Sequence, residues 1–151
     1  MHCIASQAFT RVFAPEAKQD EVYDTIVAPL CERFLGGESC SLIAYGMTAS
    51  GKTHTIQGTS KNPGLFPRLV TSLLSKSTTL ENPSLQISIV EIYQEKLNDL
   101  LASKKEKLAI RDGNGHIEVA NLSCHDVTSV TEAHHYLDVA ASKRYSTAGK
   151  L

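Results

Sequence analysis

The run Gly46-Met47-Thr48-Ala49-Ser50-Gly51-Lys52-Thr53 has the residue types and spacing to grip a phosphate. It reads G-x-x-x-x-G-K-[ST], the phosphate-binding loop pattern. Gly46 and Gly51 let the backbone wrap closely around an anion. The amides of the loop and of the following helical turn point at the phosphates. Lys52 reaches the β- and γ-phosphates of a nucleoside triphosphate, and the Thr53 hydroxyl can ligate Mg²⁺. The apolar run Leu42-Ile43-Ala44-Tyr45 in front reads as a β-strand, and a helix can follow Lys52. A plain Gly/Ser/Thr turn between two elements is the alternative; the strand in front weighs against it.

The 151 residues allow one domain at most, and a hydrophobic content of 42% suits a globular core. A formal net charge of −1 gives no basic excess to mark nucleic acid as the main partner, although a local basic patch stays open. Cys3, Cys31, Cys40 and Cys124 form no C-x-x-C pair and no zinc spacing, and read as reduced packing residues. Met1 to Phe13 lacks the long apolar stretch of a signal peptide, and no run of about eighteen apolar residues predicts a membrane span.

Several elements must position the loop. Phe9 to Phe13 alternates like a short strand that Ala14-Pro15 ends. From Gln19 to Leu35, Val22, Ile26, Leu30 and Phe34 mark an amphipathic helix, with Pro29 predicting a kink and Gly36-Gly37 its stop. Gly58 to Gly64 predicts a polar loop that interrupts the helix after Thr55. Pro67 suits a first helical position, followed by an apolar stripe of Leu69, Val70, Leu73 and Leu74. Gln86 to Tyr93 reads as a buried strand, and Leu97, Leu100 and Leu101 as a short helix. Lys104 to Lys107 reads as an exposed loop. Leu108 to Arg111 and His116 to Ala120 flank Asp112-Gly113-Asn114-Gly115, a hairpin signal. A strand around Ser123 to Val127 follows. Ser129-Val130-Thr131-Glu132 is a capping box opening a helix with an apolar face of Val130, Ala133, Leu137, Ala140 and Ala141. His134 and His135 diverge by about 100° on that helix and cannot jointly hold one metal.

Taken together these blocks resemble the motor domain of the kinesins. Phe9 to Phe13 is similar to the family's F-D-x-V-F strand, and Gln19, Val22-Tyr23 and Ala28-Pro29-Leu30 to its first helix. Leu42 to Gly46 with Thr48 and Ser50 to Thr53 resembles I-x-A-Y-G-Q-T-x-S-G-K-T, and His54 to Gly58 resembles [HYF]-T-M-x-G. Gly64 to Arg68 resembles G-I-I-P-R, and Ile87 to Leu101 resembles S-x-x-E-I-Y-N-E-x-x-x-D-L-L. The last block argues against an unrelated P-loop kinase or GTPase.

The resemblance implies an α/β P-loop NTPase with a mostly parallel central sheet flanked by helices, incomplete here, with residues 1–151 as a partial motor domain. It implies that Gly46 to Thr53 binds ATP, that Thr53 holds Mg²⁺, and that the ring of His54 lies against adenine. Microtubules, the cytoplasm and the cytoskeleton follow as partner and location of the longer protein. Arg111 and His116, near the hairpin, are candidates for tubulin contact, with ordinary exposed residues as the alternative. Met47 stands where the family has Gln, Ala49 where Gly or Ser is usual, and Thr10 where Asp is usual.

The family's R-x-R-P strand is expected before residue 1, and its N-x-x-S-S-R-S-H and D-x-x-G-S-E switches beyond Leu151. On that basis the chain is expected to be a fragment with a P-loop strand lacking its usual neighbours and negligible ATP hydrolysis of its own. A non-catalytic interaction protein that keeps the kinesin architecture is the competing reading.

Overall fold

A computed structural model describes residues 9–78, 81, 83–104, 106–113 and 115–148. The chain divides into two compact units, Met1–Leu69 and Val70–Leu151.

In the first unit, residues 9–14 join no ladder, so the strand expected over Phe9 to Phe13 does not form. Phe9 and Val12 are 68% and 78% exposed, so no core covers them. The helix that follows is interrupted as Pro29 predicts. Helix α1 (Gln19–Val22) passes through a π-helical turn, Tyr23–Val27, into α2 (Ala28–Leu35). Pro29 has no N–H to donate, and in an α-helix its ring would press on the carbonyl four residues back. The wider turn relieves this, and the amide of Ala28 bonds the carbonyl of Tyr23, five residues back. The buried row is Gln19, Tyr23, Val27 and Cys31, whereas Ile26 and Phe34 of the expected stripe are exposed. The stripe is thus displaced by one residue, about 100° of helix rotation. Tyr23, Val27 and Leu65 form a core cluster with Val22, Ala28 and Leu69 packed on it. The helix ends in a Schellman motif, with Glu38 N bonded to Arg33 O and Gly37 N to Phe34 O, both at 3.0 Å. Gly37 takes the required left-handed turn at φ +90°.

Helix α3 (Lys52–Ile56) follows the phosphate loop, and α4 (Leu65–Ser77) begins two residues before Pro67. Pro67 is tolerated there because the first four helical amides have no intrahelical acceptor. The expected loop between α3 and α4 is closed by a bridge between Gly58 and Pro63. Gly58 sits at φ +69°, and a Cβ on it would lie 2.2 Å from Gly64 N.

The second unit holds β1 (Gln86–Ile87), β2 (Val90–Tyr93), β3 (Lys96–Asp99), β4 (Ala109–Gly113), β5 (His116–Ala120), β6 (His125–Asp126) and α5 (Val130–Ala148). They make three two-stranded antiparallel sheets, β1 with β6, β2 with β3 and β4 with β5. The mostly parallel central sheet is therefore not found among the described residues. β2 and β3 are joined by the tight turn of Gln94 and Glu95, which only antiparallel strands permit. The single strand expected over residues 86–93 is split, because its partner changes from β6 to β3 between Ile87 and Val90. The short helix expected at Leu97 is instead β3, turned back on β2 by Gln94 and Glu95 at φ +48° and +60°.

Leu100, Leu101 and Ala140 form this unit's core cluster, with Ile87, Ile89, Tyr136 and Val139 packed against it. Asp99 clasps the turn after β3: its carboxylate accepts bonds from Leu101 N, Ala102 N, Ser123 N and Ser123 Oγ. The expected hairpin forms, but its first strand is Ala109–Gly113 rather than Leu108 to Arg111, so Asp112 and Gly113, read as turn, belong to the ladder; Gly115 is at φ +81°. The expected capping box forms in part, its reciprocal bond falling on Thr128 rather than on Ser129. Ser129 Oγ accepts from Glu132 N at 3.2 Å, while the Glu132 carboxylate reaches back to Thr128 N and Oγ1 at 2.8 and 3.0 Å. Those bonds from Thr128 hold the Glu132 carboxyl below its ordinary value.

Candidate phosphate-binding site

All the residues expected to meet the phosphates lie in one continuous piece of the first unit. Residues 41–46 lead into the loop without regular secondary structure and are exposed throughout, with Ile43 and Tyr45 at 83% and 97%. The apolar character read as a buried strand is there; a ladder partner is not, among the described residues. The loop then turns with Ser50 N bonded to Met47 O at 3.2 Å. Gly46 is at φ +156°, and a Cβ on it would lie 2.6 Å from Ser50 Oγ, so the loop closes through the space a side chain would fill. Gly51 precedes α3 at φ +93°, the left-handed conformation that lets the chain enter the helix with its amides turned into the loop. Ala49 adopts φ +63° without being glycine, a strained position the sequence did not announce.

Lys52, the first residue of α3, folds its ammonium back over the loop. Its Nζ donates to Gly46 O at 2.8 Å and to Met47 O at 2.6 Å. One cation thus ties the start of the loop to the start of the helix and is already held where loop and helix meet. Thr53, next on the helix, is exposed. Thr48 and Ser50 are exposed in the loop before Gly51. The set fits a Mg²⁺-bound triphosphate. It offers glycines where close approach is needed, a positive side chain at the loop mouth and an accessible hydroxyl beside it.

His54 is exposed, and its backbone carbonyl and Nδ1 both meet the side chain of Gln19. Gln19 meets His54 from 35 positions away in sequence, a contact that spacing could not reveal. Arg111 is exposed and pairs in register with Glu118, and His116 pairs with Gly113, in the hairpin of the second unit. Among the described residues no group of three or more His, Cys, Asp or Glu could hold a metal, and no helix is long and apolar enough to cross a membrane.

A glycine-lined loop, a lysine folded over it and a threonine in the first turn of the following helix define the P-loop class of nucleotide-binding proteins. Residues 4–151 match the kinesin motor domain family. Kinesin-related protein 7 of Dictyostelium discoideum is 35% identical over 95% of this chain and 12% of its own length. Kinesin-like protein KIFC2 of Homo sapiens is 36% identical over 91% of the chain and 17% of its own. Among solved structures, a fast kinesin superposes with a TM-score of 0.88 at 28% identity, covering 97% of this chain and 44% of that one. A KIF14 dimer with AMP-PNP in complex with a microtubule gives 0.77 at 32% identity, covering 85% of this chain and 38% of that one. The chain belongs to the kinesin motor domain family and has its P-loop NTPase fold. It spans less than half the length of each of these relatives.

Proposed function

We propose that this chain is the phosphate-gripping portion of a kinesin-like motor, which in the longer protein couples ATP hydrolysis to movement along microtubules in the cytoskeleton. The observation that carries the reading is the loop of residues 46–53, with Lys52 bound across it to the carbonyls of Gly46 and Met47. Met47, Thr48, Ala49 and Ser50 contribute mainly backbone, and the loop amides bind and orient the phosphate chain. Lys52 exchanges a carbonyl contact for phosphate oxygen and offsets its charge. Thr53 would hold Mg²⁺, which when bound would supply positive charge to offset that of the phosphates. His54 offers its ring to the adenine face.

None of the side chains from Gly46 to Thr53 is a base able to orient water. This stretch therefore binds and positions, and the chain on its own is expected to bind ATP with negligible turnover. Two measurements test the reading. Thr53→Ala is expected to abolish most of the Mg²⁺ dependence of ATP binding while leaving metal-free binding in place. Co-sedimentation of the longer protein with microtubules is expected to vary between ATP and ADP. Microtubule binding that ignores nucleotide, in a protein that binds no ATP, would favour the non-catalytic interaction protein instead.

A further inference from the structure

We propose that Gln19 is a positioning residue for His54, fixing which ring nitrogen carries the proton and so what the ring presents to a purine nucleotide. The inference rests on the nucleotide-binding reading of the loop. Gln19 is a polar side chain only 6% exposed, and burial of an amide is costly unless its hydrogens are used. Both are used on one residue. Its Nε2 lies 2.7 Å from His54 O and 3.3 Å from His54 Nδ1.

The chemistry of the two acceptors settles the arrangement. A carbonyl oxygen only accepts, so the Gln19 atom facing it must be the NH₂ nitrogen. Its second hydrogen then meets Nδ1, which must accept, and the neutral ring carries its proton on Nε2. The carbonyl bond also answers a local need. Gly58 N, the α-helical partner of His54 O, turns back to Thr53 O at 3.3 Å. The side chain of Gln19 donates to His54 O in the place that Gly58 N leaves. Gln19 is the first residue of α1 and His54 the third of α3, so the contact braces one element against the other. With Nδ1 committed to the protein, the exposed ring offers a π face and an N–H donor edge, a combination suited to a purine base.

The test uses the full chain labelled with ¹⁵N-histidine, together with Gln19→Met, which keeps the length without donors, and Gln19→Glu, which exchanges donor for acceptor. The wild-type His54 is expected to show a bare Nδ1, and Gln19→Glu to move the proton onto Nδ1. Gln19→Met is expected to weaken Mg–ATP binding about fivefold, the scale of one net hydrogen bond. Binding of Mg–tripolyphosphate, which has no base, is expected to be unchanged in Gln19→Met, which also shows that the variant is folded. In a His54→Ala background, Gln19→Met is expected to have no further effect on ATP.

A wild-type ring protonated on Nδ1, or equal weakening of ATP and tripolyphosphate, would overturn the role given to Gln19. A wild-type chain that binds neither ligand would overturn the nucleotide reading and the base-facing role with it. The tautomer measurement still judges the Gln19 brace in that event.

Discussion

Asp99→Asn changes one atom in the clasp behind β3, and its cost can be worked from the bonds. Asp99 Oδ1 accepts from Leu101 N, Ala102 N and Ser123 Oγ at 2.8, 2.9 and 2.9 Å, and Oδ2 accepts from Ser123 N at 2.7 Å. Asparagine can keep an oxygen on the first set, but then turns its NH₂ toward Ser123 N–H, donor against donor. A bond to a charged acceptor contributes roughly 1.5–3 kcal/mol, so a loss of about 2 kcal/mol is expected. For a chain of this length that lowers Tm by roughly 4–8 °C. Burial raises the Asp99 carboxyl, but the bonds from Ser123, Leu101 and Ala102 outweigh it and hold it below its ordinary 3.8. A carboxyl depressed in the folded state stabilises above its unfolded value, and that stability is lost as pH falls through the folded value. Thermal unfolding followed by circular dichroism should thus show a constant gap between wild type and variant from about pH 5 to 7. The gap should shrink below pH 3.8, the unfolded value. An equal gap at acid and neutral pH, or no change in Tm, would refute the assignment of the clasp to the ionised carboxylate.

Other perturbations follow from local geometry. Gly58→Ala should open the loop between α3 and α4, because its Cβ would meet backbone at 2.2 to 2.7 Å; limited proteolysis should cut within residues 58–64 in the variant first. Replacing Gln94-Glu95 by Asn-Gly should raise stability by about 1 kcal/mol in urea unfolding, since both positions have positive φ that those residues favour. Ser129→Ala should cost about 1 kcal/mol through the lost cap on Glu132 N. Glu132→Gln should lower Tm at neutral pH but not at a pH well below 4.5, the ordinary value from which the Glu132 carboxyl is lowered.

The elements that were legible carry their own chemistry. The phosphate loop shows because Gly46, Gly51 and Lys52 are required by type, and the hairpin of residues 109–120 because its Gly residues suit the turn. The cap at Ser129 shows for the same reason. Pro29 announced an interruption, but not that it would be a π turn, since how a helix absorbs a missing donor depends on the packing of Tyr23 and Val27. β3 was hidden because Leu97, Leu100 and Leu101 have helical spacing while Gln94 and Glu95 carry no turn signature. The run Leu42–Tyr45 shows an appetite for burial, but hydrophobicity does not name the partner strand. Gln19 was silent because its two bonds join residues that only the fold brings together.

The most direct test of the central claim is Mg²⁺-dependent ATP binding by the purified chain, wild type against Lys52→Ala. Loss of the lysine's charge-assisted bonds should weaken binding by at least about tenfold, with the variant's secondary structure unchanged. Equal affinity in the two proteins, or no saturable binding by the wild type, would contradict the assignment of residues 46–53 as the nucleotide site.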